Sequence, residues 1–141
     1  MSAYDNNRRR EIFNKTTGRC HICGTRIVFD NYGDHGTSGA WEVDHSIPLA
    51  KGGTDHLNNL LPAHTSCNRS KQDGSSRSSR RDNGRTRAPM SAEAIDRARF
   101  KQAVAGAFSG GLLGARLGGL VGFWVGVIAG GVAAYALDPE A

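Results

Sequence analysis

Arg19-Cys20-His21-Ile22-Cys23-Gly24 and, further along, His64-Thr65-Ser66-Cys67 decide how the first half of the chain folds. Each stretch holds two metal-ligand side chains across a two-residue gap, and a closed tetrahedral zinc site needs four N or S donors. Cys20, Cys23, His64 and Cys67 supply them. Between the two knuckles lies Trp41-Glu42-Val43-Asp44-His45-Ser46-Ile47-Pro48-Leu49, followed by Gly52-Gly53-Thr54-Asp55-His56-Leu57-Asn58-Asn59-Leu60-Leu61, and Asn68 directly follows the last cysteine.

Working outward, Asn7 to Lys15 predicts a short helix that carries Arg8, Arg9 and Arg10 into the first knuckle. Arg26-Ile27-Val28-Phe29 reads as a strand, and Asp30 to Gly39 as a Gly, Asn and Asp loop. Trp41 to His45 predicts a second strand halted by Pro48, with Trp41 packed in the core. Leu57 to Leu61 starts the return, and Cys67 to Lys71 begins a short helix. A domain this small has too little core to be secure alone, so a structural metal is the expected staple.

Composition bounds the rest. The chain has 141 residues, three cysteines and a formal net charge of +5. An odd cysteine count in metal-type spacing argues against a disulfide framework and for a reducing compartment. The excess of positive charge suits a polyanion, either nucleic acid or an anionic membrane surface. Met1 to Asn7 carries no apolar stretch behind a basic start, so no cleavable signal peptide is expected.

The ordered set Cys-x2-Cys, Asp-His-x2-Pro, Gly-Gly-x-Asp, Asn-Leu and Cys-Asn-Arg-Ser-Lys resembles the HNH endonucleases of the zinc-knuckle-bearing, McrA-like type. The likeness covers roughly Arg19 to Lys71, and His64 stands where that family often has a cysteine. It implies a ββα-metal fold and a phosphodiester hydrolase. His45 is then the general base, since a neutral imidazole can take a proton from water. Asp44 and Asn68 are expected to hold a catalytic Mg2+ or another divalent ion, which suits oxygen donors. Asn59 is expected to fix the loop and orient the histidine. Arg69 and Lys71, with Arg8 to Arg10 behind them, are candidate phosphate contacts. His21, His35 and His56 read as solvated or supporting groups. No recognition helix or finger array is present, so cleavage of DNA with low sequence specificity is expected.

Residues 72–90 lack large apolar side chains apart from Met90 and read as a flexible basic linker. After Ser91, a plausible N-cap, an amphipathic lead-in precedes a long apolar stretch. Leu117 to Leu137 is 21 residues without a charge. As a helix that would span about 31 Å, close to the ~30 Å hydrocarbon thickness. Glycine recurs every fourth residue from Gly106 to Gly130, a glycine-zipper-like stripe where another helix could approach and form a homo-oligomer. Arg116 either snorkels at the end of one span or sits near the turn of a hairpin beginning around Gln102. The single span is preferred because a hairpin's first arm would be short.

The expected architecture is therefore α+β: a zinc-stapled ββα-metal domain over 1–71, a linker over 72–90, and a membrane segment over 91–137 with its span at about 117–137. Arg97, Arg99, Lys101 and Arg116 precede the span, while Asp138 and Glu140 follow it, which puts the nuclease domain on the cytoplasmic side of the inner membrane. A nuclease held there suits action on entering DNA, as in phage exclusion or defence. Two other readings are a delivered nuclease toxin whose glycine zipper aids membrane crossing, and a non-catalytic zinc-stapled tether between DNA and membrane.

Overall fold

The chain divides into two compact units, residues 1–92 and 93–141. The computed structural model describes residues 4–137, without the side chains of residues 117–119 and 122.

The first unit opens with helix α1 (Asn6–Asn14), whose N-cap Asp5 accepts from the Arg8 N–H at 2.8 Å. That satisfies one of the free N–H groups of the first turn. Ile12 turns inward, fully buried. The chain then forms the first cysteine knuckle. Gly24 closes it with φ +77°, where a side chain would be strained and would strike the guanidinium of Arg85.

The strand expected over Arg26–Phe29 does not form. Arg26 makes one isolated bridge to Arg19, and Phe29–Asn31 is a 3-10 turn. The reason lies in the backbone partners: the Ile27 N–H goes to Gly18 and the Val28 N–H to Gly39. Consecutive residues thus bond to two different loops and have no common ladder.

The expected hairpin does form. Strand β1 (Trp41–His45) runs antiparallel to strand β2 (Leu60–His64), with Trp41 opposite His64 and Asp44 opposite Leu61. Helix α2 (Thr65–Lys71) follows at once, completing the ββα order. Trp41 is fully buried among Ile12, Ile22, Ile27, Leu60 and Ala63. Its ring meets Phe13 and Tyr32, and its indole N–H donates to the Phe29 carbonyl at 3.1 Å. This aromatic cluster seats the start of β1, and the strand carries Asp44 and His45 outward from it.

Residues 72–90 are not a free linker. Ser75 caps a further helix, α3 (Ser76–Asp82), accepting from the Ser78 N–H at 3.1 Å. Ser76 is buried with its hydroxyl on the Ser46 carbonyl, Arg80 reaches His21, and the Met90 carbonyl accepts from Thr17. The segment lacks apolar side chains, so composition signalled disorder. Polar contacts to the domain order it instead.

The second unit is one run of helical backbone, α4 (Ala92–Tyr135), but it is not straight. A Cβ added to Gly106 would collide with the Gly130 carbonyl, and one added to Gly110 would collide with the Gly126 carbonyl. A straight helix would hold Gly106 and Gly130 about 36 Å apart. The backbone therefore reverses between Gly111 and Phe123, and its arms pack antiparallel through glycine. This corrects two expectations. The preferred single span over 117–137 is replaced by the hairpin, and no helix among the described residues is long and apolar enough to cross a membrane. The glycine stripe meets the chain's own second arm, so it is not a free face for homo-oligomers. Asp138 and Glu140 lie outside the described residues.

Candidate metal centre and active site

The two knuckles meet. One ligand atom from each of Cys20, Cys23, His64 and Cys67 lies within 4.8 Å of every other. The Pro62 carbonyl accepts from the His21 N–H at 2.9 Å, which ties the first knuckle to β2. His64, the last residue of β2, points Nδ1 at the Cys23 sulfur, 3.4 Å away, while Nε2 lies 3.1 Å from the Arg26 carbonyl. A ring nitrogen donating to a backbone carbonyl leaves the other as the ligand, the usual support of a metal-bound imidazole.

The thiols call for a cation. Burial holds Cys20 above the ordinary thiol range. Burial also opposes ionisation of Cys23, but hydrogen bonds from Thr25 and His64 overcome it and bring the thiol to about 6. Cys67 is driven up to about 12, first by burial and then by the neighbouring Cys20 and Cys23 charges. One thiolate is tolerated here, and three need a dication among them. Geometry and donor set are consistent with structural zinc in a Cys3His site.

Beside this centre, Asp44 is the hub of a buried network. Its side chain is 3% exposed. One oxygen lies 2.7 Å from His21 Nε2, and the other accepts from Lys71 Nζ at 2.9 Å. Arg80 donates to His21 Nδ1 at 3.1 Å. Because Arg can only donate, Nδ1 must accept, so His21 carries its proton on Nε2 and gives it to Asp44. Burial lowers the pKa of His21, in keeping with a neutral ring. Lys71 also reaches the His45 carbonyl at 3.1 Å. Strand alternation puts Glu42 on the same face as Asp44, where it accepts from Asn68 Nδ2 at 2.9 Å.

His45 turns the other way from Asp44. Its Nε2 lies 2.7 Å from Asp55 Oδ1, and its side chain is 19% exposed. Tyr4 donates to the same carboxylate oxygen at 2.9 Å, and Arg8 donates to the Asp55 backbone carbonyl at 3.1 Å. The hydrogen bonds from His45 and Tyr4 hold the Asp55 carboxyl below its ordinary range. Asn59 braces the intervening loop: Oδ1 accepts from the Ile47 N–H at 2.8 Å, and Nδ2 donates to the carbonyls of Ile47 and Thr54.

The sequence-derived residues thus divide. Cys20, Cys23, His64 and Cys67 converge. Asn59 bonds to Ile47 and Thr54 in the loop after His45. Asp44, His45 and Asn68 lie on neighbouring elements but engage separate partners: His21 and Lys71 for Asp44, Asp55 for His45 and Glu42 for Asn68. Both oxygens of Asp44 already accept a hydrogen bond and its side chain is buried, while Asn68 is turned to Glu42. Lys71 is buried on Asp44 and is not a free phosphate contact. Arg69 is exposed. Arg9 stacks over Tyr32 and Arg10 over Phe29, at 4.7 and 4.4 Å from the ring centres.

His21, Glu42, Asp55 and Arg80 escaped the sequence reading as partners. The alternation of β1 could have paired Glu42 with Asp44. Nothing local marks Arg80 as the neighbour of a knuckle histidine.

A family model described as HNH endonuclease matches residues 20–74, from the first knuckle cysteine to just past α2. No curated protein and no solved structure matches the chain. An HNH endonuclease domain suggests a nuclease, and such domains generally act on DNA, though some members of the family are non-catalytic.

Proposed function

We propose that the protein is an HNH endonuclease that hydrolyses DNA phosphodiester bonds with low sequence specificity, using His45 as general base. The observation that carries this reading is His45 itself. It lies at the end of β1 within the region matching the HNH endonuclease model, partly open to solvent, with Asp55 on Nε2. An ionised carboxylate only accepts, so Nε2 holds a proton, and in the neutral ring Nδ1 then keeps a lone pair for a water proton. Arg69, with Arg9 stacked over Tyr32 and Arg10 over Phe29, supplies positive charge for a phosphate backbone. The resemblance implies a divalent ion, Mg2+ or another. Both Asp44 oxygens already accept a hydrogen bond, one from His21 and one from Lys71.

The test is plasmid nicking by the full-length protein in Mg2+ or Mn2+ buffer, wild type against His45→Ala. Loss of nicking with zinc content and fold retained is expected. Undiminished nicking by His45→Ala would overturn the assignment.

The hairpin favours a lipid-facing placement of this nuclease. Its seam is glycine, and Phe108, Leu112, Leu120, Trp124, Ile128 and Val132 point outward, each more than 60% exposed. Arg97, Arg99 and Lys101 precede the apolar run. An apolar outer surface with basic residues at one end suits insertion into an anionic bilayer surface. Placement at the inner membrane, with the nuclease unit in the cytoplasm and acting on entering DNA, belongs to this proposal. Flotation with phosphatidylglycerol vesicles is the expected result. Protein that stays at the bottom of the gradient, monodisperse without detergent, would remove it.

A further inference from the structure

Resting on the reading of His45 as base, we infer that Asp55 is its positioning residue, holding the imidazole in one tautomer and one orientation. Asp55 is exposed, and a lone surface ion pair would be worth little. This one is built from three segments. Tyr4 and Arg8, before and within α1, grip the carboxylate and the backbone of Asp55, and the Asp5 cap fixes the start of that helix.

The loop that carries Asp55 is itself held. The Ser46 N–H donates to the Asn59 carbonyl at 2.8 Å, and Asn59 ties both Ile47 and Thr54 from its side chain. Gly53 passes so near the Ile47 carbonyl that any Cβ would collide with it. The far side of His45 is fixed by Lys71 on its carbonyl. Asp55 therefore meets Nε2 from a braced position. Among the described residues, Lys71 bonds to the His45 carbonyl, and Tyr4 and Arg8 bond to Asp55.

The device is a carboxylate–imidazole pair in which Asp55 accepts the Nε2 proton and leaves Nδ1 to face the water. It makes Gly-Gly-x-Asp more than a turn in this chain.

Full-length Asp55→Asn tests it beside Asp55→Glu and Tyr4→Phe. The Asn amide donates as readily as it accepts, so it no longer dictates the tautomer. General base catalysis contributes ~10²–10⁴-fold. Expected for Asp55→Asn are a kcat about 100-fold lower, KM within about twofold and unchanged thermal unfolding. Asp55→Glu should restore part of kcat, and Tyr4→Phe should lower it by a smaller factor. Independently of activity, nitrogen-15 NMR of the His45 ring should give a single Nε2–H tautomer in wild type and a mixture in Asp55→Asn. If Asp55→Asn keeps wild-type kcat while His45→Ala is inactive, Asp55 has no positioning role. An unchanged ring spectrum in Asp55→Asn overturns it equally. Full activity of His45→Ala would instead sink the underlying nuclease reading.

Discussion

Residues 4–92 close on themselves through polar chemistry: four metal-ligand side chains within 4.8 Å, a buried Asp44 gripped by His21 and Lys71, and side-chain caps on α1 and α3. The hairpin of α4 closes through glycine, with backbone against backbone at Gly106, Gly110, Gly126 and Gly130 and its large apolar side chains turned outward. In the first unit a small apolar core around Trp41 is supplemented by ions and hydrogen bonds. In the second the seam is mostly backbone and small residues, with Phe123 and Val127 against Gly111. A water-facing fold buries its apolar groups inside. The second unit instead leaves Phe108, Leu120, Trp124 and Val132 exposed around a seam of small residues.

Metal removal should separate the two most sharply. Binding of structural zinc is worth roughly 10–16 kcal/mol in small peptide sites, so a strong chelator, or Cys67→Ser, should unfold the first unit. The helical circular dichroism of α4 should survive, and loss of near-ultraviolet signal with retained helicity is the pattern expected. Simultaneous loss of both would show that the hairpin depends on the domain.

A smaller effect is expected at Asp44. Removing one partner of a buried ion pair costs about 3–5 kcal/mol, so Asp44→Ala should lower the urea midpoint of the zinc-loaded protein substantially. Asp44→Leu combined with Lys71→Met should recover much of that loss. If Asp44→Ala is neutral, the network is not a structural hub.

The hairpin responds to bulk. Gly110→Leu places a side chain against the Gly126 backbone, and overpacking costs about 1–3 kcal/mol. Spin labels on the two arms should move apart in this variant, while plasmid nicking is retained. An unchanged distance would refute the glycine seam.

The mildest effect is on Tyr4. Burial first, then the hydrogen bond to Asp55 and its charge, push this phenol up to about 12. A raised pKa favours the protonated form in the folded state. Its contribution is complete below the unfolded value near ~10, and it is lost as pH climbs from there to about 12. Absorbance titration should show one tyrosine ionising late in wild type and earlier in Asp55→Asn. No change would mean that Asp55 does not hold Tyr4.

Much of this fold is written in local pattern. Cysteine and histidine spacing marks the metal centre, and the apolar–polar alternation of Trp41–His45 with the turn residues beyond it marks the hairpin of β1 and β2. These features are legible because each depends on residues within a few positions of one another. The expected strand at Arg26–Phe29 fails because its backbone partners, Gly18 and Gly39, come from separate loops. Residues 72–90 look disordered because their ordering depends on Ser46, Thr17 and His21, which composition cannot register.

The sequence by itself determined which residues could bind zinc, where the first unit's sheet and the helix after it lie, and that glycine at every fourth position would bring helices close. Tertiary structure alone decided that the close partner is the chain's own second arm, that Asp44 faces His21 and Lys71, and that Asp55 meets His45. Periodicity says which side of an element a residue occupies. It cannot say what stands opposite, because that depends on how distant segments come together when the whole chain folds.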